Sequence, residues 1–111
     1  MPEDDLQLLR GTLDVLVLKA LQFGPQHGYA VAAWIHDTTA GKLEIEDGAL
    51  YNSLHRMEKR GWLGSRWGLS ENNRRAKYYR LTRTGRRQLA RSTQTWESYA
   101  AAVFNVLGAS E

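Results

Sequence analysis

Asn52, His55, Arg56 and Lys59 fall on one side of a predicted helix, and together they offer hydrogen bonds and positive charge to a flat polar partner. The stretch from Asp47 to Leu63 carries Leu50, Leu54 and Met57 at i, i+4, i+7 spacing, which turns one stripe toward a core. At about 100° per residue the four polar residues occupy the opposite face. A short helix with a dry back and a cationic, hydrogen-bonding front is what a DNA major groove accepts. Base-edge contact is assigned to Asn52, suited to adenine, to Arg56, suited to guanine, and to His55. Tyr51 lies about 100° from the core stripe, so it either hydrogen-bonds a phosphate or packs against the segment that follows.

That segment extends the same chemistry. Trp62 to Leu69 is rich in strand formers and glycine, and Lys77 to Thr82 alternates as a strand with Tyr79 and Leu81 on one face. Between them, Ser70-Glu71-Asn72-Asn73-Arg74-Arg75 is a polar turn. The hairpin so formed is tipped with Asn73, Arg74 and Arg75, and it can reach phosphates or an adjacent groove. Lys59, Arg66, Arg74, Arg75 and Lys77 are assigned to phosphate, where they give affinity and register but little sequence information.

Other chemistries find no support in the residues. His27, His36 and His55 are the only histidines, and they form no HxxxH pair or two-histidine-plus-acid cluster, so no metal site is expected. Without cysteine there is no disulfide, thiolate site or cysteine nucleophile. No GxSxG sequence and no glycine-rich phosphate loop occur, so neither a catalytic residue nor a cofactor is expected.

The elements that must hold this face can be read along the chain. Leu6 to Phe23 is an apolar-rich helix with Leu9, Leu13, Leu16, Val17 and Ala20 at helical spacing. Residues 24–28 break it, and Tyr29 to about Thr38 form a second helix burying Val31, Trp34 and Ile35. Residues 41–45 connect to the polar-fronted helix and are a candidate for a short extra strand on the hairpin sheet. Asp47 is expected at that helix's N-cap or first turn, and Gly61 just past its end. Thr82 is a reasonable cap for a long last helix that runs unbroken by proline to Gly108. The fold class is therefore α+β and mostly helical, with three helices, a hairpin and a long C-terminal helix.

Charge distribution points the same way. The chain of 111 residues has a net charge of +3, but residues 1–55 hold three Lys/Arg against eight Asp/Glu. Residues 56–91 hold twelve Lys/Arg against Glu58 and Glu71, a balance of +10. A basic segment that coincides with the helix and hairpin is the electrostatic footprint of a nucleic acid partner. Length indicates one domain, small enough for oligomerisation to help it. No apolar run approaches the ~18 residues of a membrane span, and the acidic start (Glu3, Asp4, Asp5) lacks a signal peptide's basic region. A soluble cytoplasmic protein is expected.

The last helix carries a separate message. Leu89, Trp96 and Val103 repeat every seven residues, and Thr93, Ala100 and Leu107 make a second row widened by Tyr99, Phe104 and Val106. This coiled-coil-like spacing extends beyond what a three-helix core can cover, and a twofold copy of the chain is the simplest place to bury it. Leu9, Leu13, Leu89, Trp96, Tyr99 and Val103 are the expected interface residues. Two polar-fronted helices related by that axis would read a pseudo-palindromic site in double-stranded DNA, with half-sites about one turn (~10 bp) apart.

Gly48-x-Leu50-Tyr51-x-x-Leu54-x-Arg56-x-Glu58-x-x-Gly61-x-Leu63 followed by Arg75-x-x-Tyr78-Tyr79-x-Leu81-Thr82-x-x-Gly85 resembles the PadR family of bacterial transcriptional regulators. Upstream, Gly11-Thr12-Leu13-x-x-Leu16-x-Leu18-x-x-Leu21 and Gly28-Tyr29 also resemble it. Met57 stands where the family usually carries leucine, a volume-conserving change. The resemblance implies a winged helix-turn-helix over residues 1–82 and a dimerisation helix over 83–111, as in the compact subgroup with a single C-terminal helix. In that family this helix pairs with the first helix of the other subunit. The resemblance further implies a repressor, and a small flat aromatic effector bound at the dimer interface in some members. Trp96, mid-helix on the interface stripe, is the aromatic best placed for one, although plain interface packing is the simpler role. The alternative from another class is a winged-helix protein–protein assembly module, which would need an apolar rather than a basic helix front.

Overall fold

The computed structural model describes the backbone of residues 2–110 and the side chains of residues 12–110. Helix α1 spans Pro2–Leu21, α2 spans Gly28–Thr38, α3 spans Asp47–Lys59 and α4 spans Arg83–Leu107. Strands β2 (Leu63–Leu69) and β3 (Arg75–Leu81) form an antiparallel hairpin, and the two-residue β1 (Gln26–His27) adds to the free edge of β3. This is a mostly helical α+β winged helix, as the sequence predicts.

The hydrophobic pattern accounts for the packing. Helix α1 runs through the centre, burying Leu13, Val17, Leu18, Ala20 and Leu21. Val31 and Ile35 of α2 and Leu50, Leu54 and Met57 of α3 close over it, and Leu63, Tyr79 and Leu81 of the sheet complete the core. Trp34, expected among the buried residues of α2, is only partly buried and packs beside Phe23 (ring centroids 5.7 Å apart).

Helix α3 ends as Gly61 predicts. Gly61 has φ +81°, its N–H donates to Glu58 O (3.0 Å), and the next N–H, of Trp62, donates to Met57 O (3.0 Å). That double closure satisfies the terminal carbonyls and reverses the chain into β2. At the other end Asp47 is a first-turn acid, and the cap position belongs to Glu46, whose side chain makes no capping bond. Thr82 caps α4 as expected: its Oγ1 accepts from Gly85 N–H (3.0 Å) and donates to Gly61 O (2.6 Å).

The third strand is not the one expected. Residues 41–45 alternate partly buried and exposed, with Leu43 and Ile45 against the core, yet they form no ladder. The polar groups there are met locally instead: Thr39 Oγ1 accepts from Leu43 N–H (3.1 Å), and Gly41 N–H donates to His36 O (2.7 Å) at a left-handed turn. The vacant edge of β3 is filled by Gln26 and His27, which pair with Tyr79 and Tyr78. His27 also caps α2, its Nδ1 accepting from Ala30 N–H at 3.1 Å.

Candidate nucleic-acid interface

Helix α3 and the hairpin both carry exposed polar groups, and Glu58 of α3 is bonded to Ser65 and Lys77 of the hairpin. Leu50, Leu54 and Met57 are sealed beneath α3, while Asn52, His55 and Lys59 stand exposed on its front. The hairpin tip carries Asn73, Arg74 and Arg75, all exposed. Asn73 takes φ +63°, a left-handed conformation that asparagine tolerates, and donates to Ser70 O at 2.9 Å. Arg75 lies over the exposed Trp67 ring (4.7 Å to the centroid), which supports its guanidinium beside the tip.

Several expected contacts are arranged differently. Arg56 stands at the α1 edge of the front, where its Nη2 donates to Asp14 Oδ1 at 2.6 Å. Lys77 donates to Glu58 Oε1 (3.2 Å) and lies over the Tyr79 ring (5.4 Å), so it links β3 to α3 rather than standing free. Arg66 projects from the other face of the hairpin. It pairs across the ladder with Tyr78, and strand side chains alternate, so it shares the side opposite Ser65, Tyr79 and α3. Tyr51 lies against Gly28 at the start of α2 and lines a groove shared with the wing. A Cβ at Gly28 would come within 2.8 Å of its hydroxyl oxygen, and the ring is 48% exposed.

Glu58 is the hinge pin between recognition helix and wing. It accepts from Ser65 Oγ of β2 (2.5 Å) and from Lys77 Nζ of β3. The Ser65 hydrogen bond, and after it Lys77, hold the Glu58 carboxyl below its ordinary range, while the bond to Glu58 holds the Lys77 ammonium above its own. A depressed carboxyl stabilises the fold above its unfolded-state value and loses that contribution as pH falls through the folded one. The raised ammonium contributes below its unfolded value and loses it as pH rises through the folded one. The clamp is therefore intact across neutral pH. Glu58→Gln is expected to lower the melting temperature at pH 7, and the difference is expected to shrink as pH falls through the depressed folded-state value of the parent carboxyl. A difference that stays constant along the whole acid limb would remove charge from the explanation.

A groove runs between the start of α2 and the wing, lined by Tyr29, Tyr51, Trp67, Arg74, Arg75 and Lys77. Tyr29 and Trp67 are exposed there, and sequence reasoning gives neither a contact role. Asp14 is also missed by sequence reasoning. Its signal is that it is the one acid within the apolar stretch of residues 12–18. Among the described residues, no group of three or more His, Cys, Asp and Glu comes together that would hold a metal.

Along α4 the predicted interface residues divide. Leu13 and Leu89 are buried in the chain's own core, because the first turns of α4 still lie over α1, and they are not available to a partner. Leu9 lies outside the residues whose side chains are described. Beyond Leu89 the helix runs past the core, leaving Tyr99, Phe104, Val106 and Leu107 exposed. Trp96 Nε1 donates to Thr12 Oγ1 (3.3 Å), which leaves the indole 42% exposed over an open groove between α1 and α4. Trp62, Tyr99, Val103 and Phe104 line the same groove of about 770 Å³. None of the described helices is long and apolar enough to cross a membrane.

Known proteins share this architecture. A PadR family regulator from Eggerthella lenta superimposes with a TM-score of 0.82 at 33% identity, covering 98% of this chain and 93% of that one. A transcriptional regulator from Clostridium thermocellum gives 0.80 at 29% identity, with coverage of 87% and 94%. An uncharacterised protein of Lysinibacillus sphaericus is 27% identical over 89 residues, which are 80% of this chain and 82% of that protein. The model of the transcriptional regulator PadR-like family matches residues 17–91, which include α2, the polar-fronted α3, both hairpin strands and the start of α4. The chain belongs to the PadR-like family of transcriptional regulators, DNA-binding proteins of winged-helix fold.

Proposed function

We propose that this regulator acts as a homodimeric repressor that binds a pseudo-palindromic operator. The observation that carries this reading is that an exposed polar front on α3 (Asn52, His55, Lys59) and exposed cations at the wing tip (Arg74, Arg75) belong to two elements clamped together at Glu58. Asn52 and His55 read base edges in the major groove, while Lys59, Arg74 and Arg75 with Asn73 hold phosphates and fix the register. Tyr51, at the α2 side of the wing groove, offers its hydroxyl to the same backbone. Lys77 adds charge from behind Glu58, and Arg66 reaches phosphate only from the outer face of the wing.

In this reading residues 1–82 form the DNA-binding unit, and residues 83–111 form the dimerisation helix. The uncovered apolar row of α4 beyond Leu89 meets α1 of a second copy, which sets two recognition helices about one DNA turn (~10 bp) apart. Repression then follows from occupying a promoter. The α1–α4 groove, with Trp96 half exposed in its wall, is the place where a flat aromatic effector would shift the spacing of the two heads. An assembly module without specific DNA binding fits less well, because the α3 front carries no large apolar side chain.

The deciding experiment is titration of fluorescent duplexes, the promoter of the protein's own gene against a scrambled sequence, through a salt series. Affinity at least ~10³-fold higher for the promoter is expected. Equal and steeply salt-dependent binding to both would reduce the function to phosphate contact at that site. No binding to either at low salt would overturn the reading.

A further inference from the structure

Asp14 of α1 engages two residues of the recognition helix at once. Its Oδ1 accepts from Ser53 Oγ at 2.5 Å and from Arg56 Nη2 at 2.6 Å. Ser53 is buried, so this end of the arrangement is fixed, whereas the Arg56 side chain is 45% exposed. Arg56 follows Asn52 by four residues and is therefore about 40° from it around the helix. Released from Asp14, a side chain rooted there would reach the phosphates that flank the base-reading face. A cation free at that place adds affinity for every sequence alike, which narrows the ratio of specific to non-specific binding.

We propose that Asp14 is a positioning residue that withholds Arg56 from DNA and thereby sets how many cations the recognition helix presents to phosphate. The proposal rests on the DNA-binding reading above and concerns discrimination, not the fold. Asp14→Asn keeps the size of the side chain and an acceptor for Ser53, but it removes the charge that holds the guanidinium.

The test compares the parent, Asp14→Asn and Asp14→Asn/Arg56→Ala on a scrambled duplex across a salt series. Neutralising one more phosphate per subunit of a dimer steepens the logarithmic salt slope by ~0.9 for each subunit, so Asp14→Asn should lose roughly twelvefold more affinity than the parent between 50 and 200 mM salt. The double variant should return to the parental slope. Three results would each overturn the proposal while leaving DNA binding intact. A parental slope in Asp14→Asn would mean that Arg56 is not recruited. A slope as steep in the double variant would mean that only the lost negative charge matters. A slope shallower than parental in the double variant would mean that Arg56 already meets DNA in the parent. Absence of duplex binding by the parent at low salt would remove both the DNA reading and the proposal.

Discussion

Gly85→Ala is expected to lower the melting temperature by roughly 10–20 °C, the equivalent of about 2–3 kcal/mol for a chain of this size. Gly85 lies in the first turn of α4, and a Cβ there would fall on the carbonyl oxygen of Trp62, with the Leu81 side chain 3.3 Å away. Trp62 O cannot yield, because it already accepts from Thr82 N–H at 3.1 Å in the turn that joins the wing to α4. The obstacle is backbone rather than the movable end of a side chain, so relief requires α4 to shift as a unit. Gly48→Ala is the control. It sits in the first turn of α3 with nothing within 4 Å of an added Cβ, and alanine should there raise stability by roughly 0.5–1 kcal/mol through helix propensity. Thermal melts followed by circular dichroism decide both, and equal small effects at the two positions would show that α4 is free to move on its seat.

Val103→Asp is expected to give a folded monomer whose affinity for the operator is about 10²–10⁴-fold weaker. Val103 lines the α1–α4 groove, outside the buried core of the single chain, so a charge there spares the monomer's fold. It places a carboxylate on the apolar row that a second copy covers in the proposed dimer. The loss in affinity comes from losing one of two linked half-site engagements, while every residue that faces DNA stays in place. Sedimentation and duplex titration on the same sample are the measurements. A dimer that persists with unchanged operator affinity would place the subunit contact elsewhere on the molecule.

Much of this molecule follows from short-range rules. The Leu50, Leu54, Met57 stripe fixes which side of α3 is dry, Gly61 fixes its end, and Thr82 fixes the start of α4. The alternation of Tyr79 and Leu81 fixes which face of the wing lies on the core. What escapes depends on partners distant in sequence. The bond of Arg56 to Asp14, 42 positions earlier and 2.6 Å away, leaves no trace in the local pattern. The pairing of Lys77 with Glu58 across the α3–wing junction is likewise invisible in the local pattern. Leu89 belongs to the heptad that suggests a dimer, yet the first turns of α4 still cover α1, and it is consumed by the core. The sheet's third strand is misplaced from sequence because residues 41–45 alternate as a strand would, while two residues after a turn, Gln26 and His27, carry almost no periodic signal.

Those two residues change what the wing is. Strand β3 is bonded along both edges, to β2 on one side and to Gln26 and His27 on the other, and the Glu58 clamp fastens its face to α3. The base of the wing is braced on three sides and its outer ladder by β2, so little conformational entropy remains to be lost there when the wing meets a surface. Association should then proceed near the rate that electrostatic steering allows, with a heat-capacity change that tracks the area covered and no added share from coupled folding.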